Sequence, residues 1–110
     1  LFFFHEKIFL KIKVEVNMYI ILVYDISTLT PAGRKRLPKV MKKCRQYLHH
    51  TQKSVFEGEI TEAKLFALKQ EIAKLIDDKE DYVVIYRLPQ KTVLDRENIG
   101  IDFDPTRSII

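Results

Sequence analysis

Residues Met18–Ser27 read MYIILVYDIS, and the apolar run inside them, Tyr19–Tyr24, decides the fold. Five of its six residues are β-branched or aromatic, the types that favour extended backbone. The run is too short for a helix and stops at Asp25, so it reads as a central strand buried on both faces. Downstream, Thr30-Pro31 offers a capping hydroxyl and a proline suited to a first helical position. Leu37, Val40, Met41, Cys44 and Leu48 then recur at helical spacing and form one apolar stripe. Pro38 interrupts that pattern, so the ordered helix is expected to start later than Pro31.

His49–Ile60 (HHTQKSVFEGEI) is rich in strand formers and fits one bent strand or two short ones, with Gly58 as a bulge or close-approach point. Thr61 caps a second helix whose buried face is Leu65, Leu68, Ile72, Leu75 and Ile76. Asp77–Asp81 (DDKED) is a polar turn. Tyr82–Leu88 (YVVIYRL) is a further strand, broken by Pro89. The order strand, helix, strand or strands, helix, strand fits an α+β fold, a ferredoxin-like sandwich with both helices on one sheet face. The other face would be left open, and dimerisation is the natural way to cover it.

Upstream, Leu10, Ile12, Val14 and Val16 alternate with Lys11, Lys13 and Glu15, a strand pattern. Residues 1–17 read either as an edge strand or arm, or as an extension ahead of a native start at Met18. The second reading is the expectation, with residues 18–110 as a single domain. The Phe2–Phe4 cluster has no basic region before it and no small-residue cleavage site after it, unlike a secretory signal. No run reaches transmembrane length.

At 110 residues, 46% hydrophobic and 31% charged, the chain fits one globular domain. Its single cysteine, Cys44, closes no internal disulfide, which excludes the secreted disulfide scaffolds and fits a reducing, cytoplasmic compartment. The net charge of +4 hides an asymmetry: residues 26–56 carry eight Lys or Arg and no Asp or Glu. Seven of these, Arg34, Lys35, Arg36, Lys39, Lys42, Lys43 and Arg45, lie on the first helix, on the solvent side left by the apolar stripe. With no carboxylate in that helix to pair with, they are expected to repel one another until a polyanion arrives. Nucleic-acid phosphates suit such a face better than solvent alone.

Asp25 ends the first strand, a position where sites often form, although a turn-initiating or helix-capping Asp is the commoner case. One carboxylate is a thin ligand set for Mg²⁺, whereas two copies of Asp25 brought together by a two-fold axis would be bridged by a cation. His49 and His50 point to opposite faces of a strand and read as ordinary strand residues or phosphate contacts. Tyr24 and Phe56 read as core, and Cys44 as a buried small hydrophobe.

Taken together, YIILVYDIS after Met18, GRKRLPKVMKKCRQYL over 33–48, TQKSVFEGEIT over 51–61 and DYVVIYRL over 81–88 resemble the CRISPR-associated protein 2 family, the small subunit of the spacer-acquisition machinery. The similarity runs from Met18 to about Gly100. Its most specific parts are the Tyr24-Asp25 pair, the Arg34/Arg36 pair and Ser54–Gly58 in order and spacing. The resemblance implies a ferredoxin-like βαββαβ homodimer, with an added C-terminal strand packing on the partner's sheet. It implies that the two copies of Asp25 share one Mg²⁺ at the dimer axis. It also implies that Tyr24, Arg34, Arg36, Arg45 and Phe56 lie on or near positions tied to nuclease activity or substrate binding.

Two activities follow from the resemblance. One is metal-dependent endonucleolytic cleavage of single-stranded RNA or double-stranded DNA. The other is a non-catalytic DNA-binding scaffold that bridges the CRISPR-associated integrase subunits. A ligand-sensing regulatory domain would explain the fold but not the acid-free basic segment.

Overall fold

In a computed structural model, residues 17–101 are described, and the expected extension lies outside them except for Asn17, which opens the first strand. The elements are β1 (Asn17–Asp25), α1 (Pro31–Arg45), β2 (His49–Gln52), β3 (Val55–Thr61), α2 (Glu62–Leu75) and β4 (Tyr82–Leu88), followed by a 3-10 turn at Lys91–Val93. The strands form one antiparallel sheet in the order β2-β3-β1-β4. This is the expected βαββαβ topology with β1 in the centre. Between Pro89 and Ile101 no strand follows β4; the rest of the tail, where an added strand was expected, lies outside the described residues.

Alternation along β1 separates the two sheet faces. Ile20, Leu22 and Tyr24 point to the helices and join Val40, Cys44, Leu48, Phe56, Leu65, Leu68 and Ile72 in the core. Burial of these side chains supplies most of the driving force, at roughly 1.5–3 kcal/mol for each large apolar one. On the opposite face Tyr19 is buried, but Ile21 and Val23 are only half-buried. The expectation of a strand fully buried on both faces is therefore corrected. In this antiparallel sheet both helices lie on one side.

α1 starts at Pro31, not later. The Thr30 hydroxyl accepts from the Gly33 N–H at 3.1 Å, and Pro31 occupies the first helical position. Pro38 sits inside the helix on its exposed side. It forgoes one backbone hydrogen bond without moving the start, because the capped turn ahead of it is complete. The 49–60 stretch forms two strands, and the register irregularity falls between His50 and Gln52 rather than at Gly58. A Cβ on Gly58 would make only ordinary contacts, the nearest at 3.5 Å. Gly33 is the glycine with a close approach: a Cβ there would lie 1.9 Å from the Ser27 carbonyl oxygen.

Candidate nucleic-acid interface and carboxylate site

Asp25 is the last residue of β1, opposite Tyr82 of β4 in register. It is exposed, and its carboxylate has no hydrogen bond or ion pair among the described residues. The turn-initiating role considered for it is therefore not seen. No cluster of three or more metal-ligating side chains occurs among the described residues. The residues present fit a divalent cation only as one carboxylate per chain, with water or a second copy completing the shell.

The segment after Asp25 is held by a residue the sequence did not single out. The Asp81 side chain is fully buried and accepts from the Ser27 N–H at 3.0 Å, the Asp77 N–H at 2.8 Å and Arg36 Nε at 2.8 Å. Burial pushes its carboxyl upward, but these donors outweigh it and hold the pKa below the ordinary carboxylate value. Arg36 in turn has its pKa raised, chiefly by its hydrogen bond to Asp81. Asp81 thus ties the β1–α1 connector, the α2–β4 turn and α1 together.

The bases of α1 therefore do not act as one set. Arg36 spends its guanidinium on Asp81 and Glu80, which corrects the expectation that these side chains lack acidic partners. The partners come from a turn 44–45 residues later in sequence. Lys43 is half-buried, 4.0 Å from Glu71 and hydrogen-bonded to Gln46. Arg34, Lys35, Lys39, Lys42 and Arg45 are exposed. Arg34 also donates to the Thr28 carbonyl at 3.1 Å, which keeps it beside the connector.

Tyr24 and Phe56 are core residues. The Tyr24 hydroxyl donates to the Lys53 carbonyl at 2.7 Å, and its ring is tilted against Phe56 at 5.8 Å. Burial raises the Tyr24 pKa further than Arg45 lowers it, so the hydroxyl keeps its proton at neutral pH. His50 stacks on Phe56 at 4.6 Å, and His49 lies exposed on the other face. Burial pushes the Cys44 thiol up to about 12, as expected for an inert core residue. Beside Asp25 lies a cavity of about 300 Å³ bordered by Leu37 and Met41 of α1 and by His50, Lys53 and Ser54.

A second buried carboxylate, Glu57, sits on the open sheet face. It accepts from the Tyr19 hydroxyl at 2.6 Å and the Thr51 hydroxyl at 2.9 Å, and it pairs with Arg96. Lys91 lies over the Tyr19 ring. The segment after β4 therefore crosses part of the open face. A glutamate between Phe56 and Gly58 in a strand was the available signal, since its period-2 position opposes the core.

The fold and these surfaces define a ferredoxin-like α+β domain with a basic helix face and an exposed carboxylate at the end of its central strand. The family model of CRISPR associated protein Cas2 matches residues 18–96. The chain is 47% identical over 90 residues to CRISPR-associated endoribonuclease Cas2 2 of Moorella thermoacetica, covering 82% of this chain and 99% of that protein. It is 45% identical over 93 residues to CRISPR-associated endoribonuclease Cas2 of Thermococcus kodakarensis, covering 84% and 100%. The crystal structure of Streptococcus pyogenes Cas2 at pH 6.5 superposes with a TM-score of 0.63 at 36% identity, covering 76% of this chain and all of that one. A further Cas2 crystal structure gives 0.69 at 35% identity, covering 86% and 99%. The chain belongs to the Cas2 family. Among the described residues no helix is long and apolar enough to cross a membrane.

Proposed function

We propose that the protein is a metal-dependent endonuclease of CRISPR spacer acquisition that works as a homodimer on single-stranded RNA or double-stranded DNA. The observation that carries this reading is the exposed, unpaired Asp25 at the end of β1, next to an acid-free basic helix. The endoribonuclease names of its relatives support it. The open sheet face supports a dimer: Tyr82 and Tyr86 are exposed there beside the half-buried Val23 and Val84, an apolar surface that a second copy would cover. In that dimer the two Asp25 carboxylates would hold Mg²⁺, which when bound polarises the scissile phosphate. Arg34, Lys35, Lys39, Lys42 and Arg45 neutralise substrate phosphates, while Arg36 and Tyr24 hold the site's backbone.

The test is cleavage with and without Mg²⁺ by wild type and Asp25→Asn. The variant is expected to lose at least about a hundredfold in rate and to keep its melting temperature. Undiminished cleavage by a folded Asp25→Asn protein would overturn the nuclease reading.

A second reading is favoured by the reach of the basic face. The fifteen residues of α1 span about 22 Å, longer than one phosphate requires. Such a face suits a non-catalytic scaffold holding duplex DNA between integrase subunits. In that case Asp25→Asn supports integration fully, and joint replacement of Arg34, Lys39 and Arg45 abolishes it.

A further inference from the structure

The cavity beside Asp25 has a composition that phosphate binding alone does not explain. Its walls include Leu37 and Met41, apolar side chains that are only partly buried, with His50, Lys53 and Ser54 on the other side. At about 300 Å³ it stands at the lower end of the range of small-ligand sites, roughly 300–1,000 Å³. The His50 ring is held flat against Phe56, with ring planes 18° apart, so one wall carries a braced aromatic surface.

The helix lays cations on either side of this hollow. Arg34, Leu37, Met41 and Arg45 follow one another at spacings of three and four along α1, so they lie along one side of the helix. The two arginines stand about 16 Å apart along the axis, a span of a few nucleotides. Both are exposed. A flat heterocycle carried on a polyanionic backbone matches this alternation of cation, apolar hollow and cation. A duplex keeps its bases stacked inside and has none to offer, whereas a single strand does.

We propose that this cavity is a nucleobase subsite: one unstacked base of a single strand enters between Leu37, Met41 and the His50 ring while Arg34 and Arg45 hold phosphates further along the strand on either side. This rests on the nucleic-acid reading above and adds a preference for single strands with intact bases. His50, Lys53 and Ser54 provide the polar groups that a base edge needs.

The test measures binding by fluorescence anisotropy in EDTA, where a metal-dependent enzyme does not cleave. The probes are a short oligothymidylate, an abasic strand of equal length and a short duplex. Wild type is expected to bind the intact strand at least about tenfold more tightly than the abasic one. Leu37→Trp and Met41→Trp, each filling the hollow, are expected to reduce that preference below about twofold and to leave duplex binding unchanged. Thermal unfolding checks that each variant folds; if neither does, the wild-type comparison decides alone. Equal binding of intact and abasic strands by wild type overturns the subsite and leaves the nuclease reading standing. A folded filled variant that keeps the full preference also overturns it. A base preference without any Mg²⁺-dependent cleavage supports the subsite and removes the nuclease. Failure to bind any of the three probes overturns both.

Discussion

Asp81 and Arg36 form the tie that fixes the surroundings of Asp25. The carboxylate lies 2.8 Å from the guanidinium Nε and takes two backbone N–H groups as well, one of them from Ser27, two residues after Asp25. Replacing Asp81 by Ala leaves these donors without their acceptor and is expected to lower Tm by about 5–10 °C. Arg36→Lys should recover little of the loss caused by Arg36→Ala, because one ammonium does not reproduce a planar two-point contact. Melting curves of the three variants check this.

The same pair sets an acid limit. Because the Asp81 pKa is lower folded than unfolded, its contribution is fully present above the ordinary carboxylate value, about 3.9. That contribution is lost as pH falls through the lower folded value. Wild type should therefore lose more stability than Asp81→Asn on acidification below about pH 4. Chemical denaturation at a series of pH values reads the difference.

Gly33 permits the connector to pass close to α1. An alanine Cβ would meet the Ser27 carbonyl oxygen at 1.9 Å, and backbone has no rotamer by which to move aside. Gly33→Ala is expected to cost about 1–3 kcal/mol and to displace the Asp25–Ser27 segment. Denaturant unfolding measures the first effect, and amide chemical shifts of residues 25–28 the second.

Glu57 tests the covering of the open face. Glu57→Ala removes the carboxylate that accepts from the Tyr19 and Thr51 hydroxyls and that pairs with Arg96. A loss of about 2 kcal/mol is expected, since buried donors would lose their acceptor. Proteolysis between Pro89 and Ile101 should speed up in parallel, because the ion pair fastens that segment to the sheet.

The basic helix predicts a split among its arginines and lysines. Single alanine substitutions at Arg34, Lys35, Lys39 or Lys42 should each lower the slope of log affinity against log salt by about one for duplex DNA, with Tm unchanged. Arg36→Ala should lower Tm instead, because its charge is already spent on Asp81. Salt titrations paired with melting curves separate the two groups.

The division between sequence and tertiary structure follows range of interaction. Periodicity located β1, both helices and β4, because burying an apolar run or stripe is a local demand met the same way wherever the partner lies. The caps at Thr30 and Thr61 were legible for the same reason: donor and acceptor are three residues apart. Asp25 and the basic segment also stood out, one by ending an apolar strand and the other by lacking acids. What sequence could not assign was which charges remain free. Arg36 reads like its neighbours until the α2–β4 turn brings Asp81 across 45 residues. Glu57 likewise needs Arg96, 39 residues away. Pairing of buried charges depends on where distant turns meet, and the packing of helices on the sheet decides that. The sequence by itself determined a basic α+β domain with a carboxylate at its strand end. The tertiary structure alone decided which cations stay exposed, which hold the backbone, and that an apolar hollow opens between them.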